Sequence, residues 1–116
     1  MKLIDKEALI DTFQFFDREI VIEIIDIFIK EQPERMAKIR EAIKNLDFDT
    51  IRFEAHSLKG VIANFVAEKP IKLAKTLENK GAEKDESGLQ ELLTQLEKST
   101  SDLVDDLKLL RKDYEN

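Results

Sequence analysis

Residues that break or turn a helix are scarce in this sequence, which contains three glycines and two prolines among 116 residues. Since glycine and proline most often mark helix ends and tight turns, their scarcity favours long helices joined by short loops. A hydrophobic content of 42% suits a single globular domain over residues 1–116. We therefore expect an all-α fold.

Apolar residues recur at helical spacing in five segments of the chain. Asp5, Asp17 and Asp47 stand where the first three helices need a residue to cap them. Pro33 is expected to kink or restart the second helix, because proline removes a backbone hydrogen bond and clashes with the preceding turn. The predicted helices cover approximately residues 6–12, 18–46, 48–67, 70–81 and 88–114.

The connection between the last two helices is expected to be the main loop, AEKDES at residues 82–87. Gly81 is predicted to end the fourth helix, and Ser87 with Gln90 has the spacing of a capping box for the fifth. The second to fifth helices can bury their apolar stripes only against each other. We therefore predict an antiparallel four-helix bundle with a short extra N-terminal helix.

Composition argues against several classes of function. A formal net charge of −6 is unfavourable for binding a phosphate backbone. The absence of cysteine and the presence of one histidine exclude disulfides and make a transition-metal site improbable. No apolar run approaches the ~20 residues of a membrane span, and the first residues do not resemble a signal peptide. We expect a cytoplasmic protein that binds neither nucleic acid nor membranes.

The third predicted helix has two different faces. With residues placed about 100° apart and His56 at zero, its apolar residues cluster on one side, centred about 130° away. This core side consists of Ile51, Ala55, Leu58, Ile62, Phe65 and Val66. Within about 60° of the histidine lie polar and small residues, namely Asp49, Arg52, Phe53, Lys59, Gly60, Ala63 and Ala67. The histidine is therefore predicted to project outward from the middle of a helix.

Lys59 and Gly60 follow His56 by one helical turn and lie in the same row. The lysine offers a mobile positive charge beside the imidazole, while Gly60 and Ala63 lower the surface so that another protein can approach. Taken singly, the three residues have simpler interpretations: a solvated histidine, a solvated lysine and a glycine required for helix packing. A destabilising glycine on a solvated face nevertheless favours a docking surface around a reactive histidine.

The run HSLKG at residues 56–60, followed by Ala63 and Asn64, resembles the signature of histidine phosphotransfer (HPt) domains. These domains are the four-helix modules of multistep two-component phosphorelays. The similarity extends to Asp17, the IFIKEQPE segment, the helix start at Asp47 and Phe48, and the LAKTLENKG stretch. It covers nearly the whole chain.

The resemblance implies a phosphocarrier without kinase activity, which passes a phosphoryl group between aspartates of response-regulator receiver domains. His56 would be the phosphorylated residue, Lys59 would offset part of the phosphoryl charge, and Gly60 would admit the receiver's loops. No cofactor of the chain's own is implied, because the receiver would supply Mg²⁺. The expected partners are receiver domains and a hybrid sensor histidine kinase, and the expected state is a monomer.

Two groups of residues are predicted to help a partner dock. The first comprises the rest of the histidine face, Arg52, Phe53, Ala63 and Ala67. The second comprises surplus isoleucines of the second helix, which serve either an apolar docking patch or packing in the core or a dimer. They are Ile22, Ile27 and Ile29.

Val61, Ile62 and Val66 depart from the family pattern, in which the first two positions are often small and the third is often glycine. Since all three lie nearer the core than the histidine face, we expect them to affect helix packing more than chemistry.

Three alternatives remain open at this stage. One is a bundle of the same shape that docks a receiver or kinase and regulates it without phosphorylation of His56. Another is a homo-oligomeric structural bundle, which the surplus isoleucines of residues 20–29 would suit. A conventional enzyme is the weakest alternative. Glu23 and Asp26 lie at helical spacing between apolar residues, where paired carboxylates more often aid solubility than serve as a catalytic acid and base, and no glycine-rich phosphate loop is visible.

Overall fold

The structure, a computed structural model, describes residues 2–115 and is built almost entirely from helices. They are α1 (Lys6–Phe13), α2 (Arg18–Lys44), α3 (Phe48–Ile62), α4 (Glu68–Glu83) and α5 (Leu89–Tyr114), with a 3-10 turn (Ala63–Phe65) after α3. The all-α prediction is confirmed. None of these helices combines the length and the apolar character needed to cross a membrane.

The four long helices form a bundle in which α2 and α4 each pack against both α3 and α5. Two ion pairs show that α2 and α5 run in opposite directions. Arg111 near the end of α5 binds Asp26 near the start of α2, with N–O distances of 2.7 and 3.0 Å. Further along α2, Arg40 binds Glu97 in the first half of α5 at 3.0 Å. The predicted antiparallel bundle with a short N-terminal helix is confirmed.

Two of the three predicted aspartate caps are formed. Asp5 accepts a hydrogen bond from the backbone N–H of Ala8 at 3.1 Å, and Asp47 accepts one from Thr50 at 3.2 Å. Asp17 stands at the N-cap of α2 without a side-chain hydrogen bond to the helix. Local sequence therefore determines where these helices begin, even where the cap itself is incomplete.

α2 runs without interruption from Arg18 to Lys44 and contains Pro33 in its interior. The helix therefore does not restart at this residue. Phe28, Gln32 and Met36 on either side of the proline are buried in the bundle. Their packing offsets the lost backbone hydrogen bond, because tertiary burial supplies most of the stability of a helix in a protein.

The start of α5 differs from the prediction, because Ser87 does not form a capping box with Gln90. Its hydroxyl and backbone N–H both donate to one carboxylate oxygen of Asp85, at 2.6 and 2.9 Å. Gly88 occupies the N-cap position with a left-handed φ of 69° and no capping side chain. The hydrogen bonds of a turn closed by Asp85 thus replace the predicted capping box of Ser87.

Gly81 does not end α4, contrary to the prediction. The helix continues to Glu83, and Lys84 ends it in a left-handed conformation with φ of 54°. Gly81 is buried where α4 crosses α3, and a Cβ atom built on it would lie 2.7 Å from the backbone nitrogen of Arg52. Its missing side chain allows a close helix approach rather than a helix stop.

The end of α3 also differs from the predicted end at Ala67. After α3 the chain forms its 3-10 turn, and Val66 adopts a left-handed conformation with φ of 52°. Phe65 packs edge to face against Phe28 of α2, with ring centroids 5.3 Å apart. Ala67 is completely buried, so its predicted place on the docking face is wrong. The helical repeat cannot be extended past Ile62, where the α-helix ends.

Asp106 of α5 attaches the N-terminal segment to the bundle. Its side chain is buried and accepts hydrogen bonds from the backbone N–H groups of Lys2, Leu3 and Ile4, at 2.9, 2.7 and 3.1 Å. Desolvation favours a higher pKa for Asp106, but the three N–H groups together hold that pKa below its ordinary value. The carboxylate therefore stabilises the folded chain.

Replacing Asp106 with asparagine should lower the free energy of unfolding by about 2 kcal/mol near pH 7, because buried N–H donors lose a charged acceptor. The lowered pKa means that this stabilisation is complete above the ordinary value of 3.8 and is lost as the pH falls through the folded-state value. The difference between wild type and Asp106→Asn in urea unfolding should therefore shrink in acid. The control is Asp105→Asn, an exposed neighbour; an equal loss of stability there would contradict the assignment.

Candidate functional site

His56 lies on the outer side of α3, where the sequence places it. Its side chain is 69% exposed, whereas Ile51, Ala55, Leu58 and Ile62 on the opposite side are completely buried. α3 therefore has the two faces that the 100° repeat predicts. Because the buried face is packed in the bundle, the backbone that carries the imidazole is held in place.

Glu78 of the adjacent helix α4 holds His56 and Lys59 together. One oxygen of its carboxylate lies 2.7 Å from His56 Nδ1, and the other lies 2.6 Å from Lys59 Nζ. The Glu78 side chain is only 17% exposed. Water therefore screens its charge less than it would on an open surface. The three side chains form one connected polar cluster.

The ionisation of Glu78 determines which imidazole nitrogen is available for reaction. The hydrogen bond from Lys59 is the main influence that lowers the pKa of Glu78; burial opposes it, and the bond with His56 adds to the lowering. An ionised carboxylate has acceptor sites only, so the shared proton belongs to Nδ1. A neutral His56 then has its lone pair on Nε2, which is the nitrogen a partner can use.

Glu78 was not identified by sequence analysis, although the chain contains a signal for it. Gly81 contacts Arg52, which lies one helical turn before His56. In an antiparallel pair of helices, a step of one turn toward the start of α4 matches a step of one turn toward the end of α3. Glu78, one turn before Gly81, therefore lies opposite His56. Interpreting Gly81 as a helix stop hides this register.

Lys59 and Gly60 lie beside the histidine, as predicted. The Lys59 side chain is 29% exposed and extends toward α4. Gly60 is exposed, and a Cβ atom built on it would meet no atom within 4 Å. Ala63 is exposed as well. Packing inside the chain therefore does not require a glycine at position 60, and the helix-packing explanation for it does not hold.

Arg52 and Phe53 complete one side of the site. Phe53 is 69% exposed, and both residues line an open hollow together with Asp49, His56 and Glu78. This hollow lies between α3 and α4. Within residues 2–115, no three histidine and acidic side chains are grouped closely enough to hold a metal ion.

An apolar groove lies on the other flank of α3, where that helix packs against α2. Its lining includes Ile24, Ile27, Phe28, Glu31, Arg35, Val61, Asn64 and Phe65. Ile27 is 49% exposed, whereas Ile22 and Ile29 are half-buried. Among the isoleucines considered for docking, Ile27 is therefore the most accessible.

Comparison with known proteins agrees with this architecture. The family model described as Hpt domain matches residues 23–110, which include the helices that carry the histidine cluster. Among solved structures, the chain is similar to histidine-containing phosphotransfer protein B (HptB) from Pseudomonas aeruginosa PAO1. The two chains are 23% identical with a TM-score of 0.87, and the match covers 97% of each. No curated protein matches the sequence.

The two helical glycines should respond in opposite ways to replacement with alanine. Gly60→Ala should raise the free energy of unfolding by up to about 1 kcal/mol, because it removes the helix penalty of glycine in open space. Gly81→Ala should lower it by about 1–3 kcal/mol, because the new methyl group overpacks the contact with α3. Urea unfolding of both variants measures the contrast. A loss of stability in Gly60→Ala would mean that position 60 is a packing site after all.

Proposed function

The chain belongs to the Hpt-domain family, whose members are histidine phosphotransfer proteins of phosphorelays, and we propose that His56 is the residue it uses as phosphocarrier. One observation carries this assignment: the sequence contains a single histidine. A family that works through a histidine leaves no other candidate in this chain. The exposed position of His56 on α3 supports the same assignment.

The proposed reaction moves a phosphoryl group from an aspartate of one receiver domain to an aspartate of another. The Nε2 lone pair of His56 attacks phosphorus, and the bond from phosphorus to the aspartate oxygen breaks. Positioning and charge neutralisation account for most of the catalysis of phosphoryl transfer. A histidine held on a packed helix is sufficient for this role, and the chain acts as a carrier without kinase activity of its own.

Lys59 and Gly60 serve this reaction in different ways. Lys59 lies close enough to the imidazole to share a carboxylate with it, and its charge offsets part of the phosphoryl charge. The open space around Gly60 supports a role in admitting the active-site loops of the receiver. We assign neither residue a role in folding.

The proposed partners are receiver domains and a hybrid sensor histidine kinase, with the chain acting as a monomer in the cytoplasm. The receiver supplies Mg²⁺ with its acidic pocket, and the chain contributes no cofactor. The docking surface consists of the exposed residues around His56, namely Arg52, Phe53 and Ala63, together with Ile27 across the α2 flank. Exposed aromatic and aliphatic side chains at the edge of a functional site are typical of contact surfaces.

Replacing His56 with glutamine should abolish phosphoryl uptake from a phosphorylated receiver domain, because the attacking nitrogen is removed. Incubation with a radiolabelled phosphoreceiver, followed by gel separation, measures the label on this chain. In wild type the label should be stable in alkali and labile in acid. Equal labelling of His56→Gln, or no labelling of folded wild type by any of a broad panel of receivers, would instead favour a docking module that is not phosphorylated.

Replacing Gly60 with leucine should reduce receiver binding by at least tenfold, because a large side chain fills the space that the receiver's loops need. Titration calorimetry with the receiver measures the affinity, and urea unfolding confirms that the fold is retained. The matched control is Gln95→Leu, which adds the same side chain at an exposed position of α5, a helix that packs mainly against α2 and α4. Equal affinities of wild type and Gly60→Leu would remove Gly60 from the docking surface.

A further inference from the structure

Glu78 does more in this cluster than orient a ring, because it brings a negative charge to the nitrogen opposite the proposed site of phosphorylation. The contact between its carboxylate and His56 Nδ1 is 2.7 Å long. We propose that Glu78 is a positioning residue that keeps the Nδ1 proton on the phosphorylated ring, and so keeps the phosphoryl group easy to transfer. This inference rests on the proposed function of His56.

The proton on Nδ1 determines the leaving group when the phosphoryl group departs. Attack by Nε2 on phosphorus leaves a ring that still carries the Nδ1 proton and is formally positive. When an aspartate of the next receiver attacks phosphorus, the Nε2–P bond breaks and its electron pair returns to Nε2. With the proton retained, neutral imidazole leaves; without it, an imidazolate anion would have to leave, which is far less favourable.

A carboxylate favours the protonated ring in a way that a neutral acceptor cannot. An ionised group in hydrogen-bond contact with a cation stabilises the charged form, and the effect is larger where the carboxylate is shielded from water. The Glu78 side chain is 17% exposed, and its ionised form is already favoured by Lys59. The carboxylate is therefore present and charged before the phosphoryl group arrives.

Other charged groups near the ring do not replace this contact. On α3, Asp49 and Arg52 line the hollow with opposite charges, and Lys59 is bonded to Glu78 itself. On α2, Arg35 donates to Ser57 on the other flank of α3 and pairs with Glu31. Glu78 is the carboxylate in contact with the imidazole, so its removal should change the proton affinity of the phosphorylated ring.

The test compares wild type with Glu78→Gln, which keeps an oxygen acceptor for Nδ1 but removes the charge. The full chain is loaded with phosphoryl groups by phosphoramidate, a small donor that needs no partner protein. Phosphorus NMR then follows the loss of the phosphoryl group between about pH 5 and pH 9. Glu83→Gln, at an exposed position of the same helix, is the matched control for charge removal, and thermal unfolding verifies that each variant is folded.

We expect the midpoint of the pH profile in Glu78→Gln to lie about one pH unit below that of wild type. Above both midpoints the variant should lose its phosphoryl group up to about tenfold more slowly, and far below them the two rates should converge. Glu83→Gln should follow the wild-type profile. Coincident profiles for wild type and Glu78→Gln, with both chains loaded at His56, would overturn the role of Glu78 and leave the proposed function intact.

Lys59 requires a separate comparison, because Glu78→Gln also releases the lysine. The midpoint of the pH profile is compared between Lys59→Ala and the double variant Lys59→Ala/Glu78→Gln. A midpoint shift equal to that between wild type and Glu78→Gln would support a direct effect on the ring. A shift that disappears without Lys59 would overturn the inference, since Glu78 would then act only through the lysine. If wild type takes up no phosphoryl group, or if His56→Gln takes up as much, the proposed function and this inference fail together.

Discussion

The contact between Gly81 and the backbone of Arg52 sets the position of α4 against α3. A Cβ atom at position 81 would lie 2.7 Å from the Arg52 nitrogen, so only glycine permits this approach. Glycine inside a helix costs about 1 kcal/mol relative to alanine; the burial gained by close packing of the two helices offsets that cost. One turn further along, the same register places the carboxylate of Glu78 beside His56. The chemistry of the cluster thus depends on a contact between helices that lies outside it.

The two faces of α3 explain how an exposed histidine can be held in a defined position. Side chains on the inner face are completely buried, and the end of the helix is secured where Phe65 packs against Phe28 of α2. Val66 then takes a left-handed conformation, which costs a β-branched residue of order 1–3 kcal/mol. A glycine would adopt this conformation without strain. Here the packed turn imposes the conformation despite the branched side chain.

The fold and the α3 side of the candidate site could be predicted from the sequence, because both depend on local periodicity. The 100° repeat separates His56 from the buried residues of α3, and aspartates mark three of the helix starts. Predictions failed where a contact between distant residues decides the outcome. Gly81 serves packing rather than termination, Ala67 lies beyond the end of the helix, and Ser87 bonds to Asp85 instead of capping α5. Glu78 was missed for the same reason, since no periodicity within α4 identifies its partner on α3.

The charges around His56 are balanced before any phosphoryl group arrives. Lys59 and Glu78 are bonded and cancel each other, so the ring lies in a locally neutral cluster although the chain as a whole carries a formal charge of −6. At physiological salt, charges more than about 8 Å away are largely screened. If the chain docks a receiver domain as proposed, its net charge therefore contributes little to repulsion of the receiver's acidic pocket at contact. Under the proposed function, recognition depends on apolar burial at Phe53 and Ile27, and the lysine can then turn from Glu78 to the incoming phosphoryl charge while the carboxylate holds the ring.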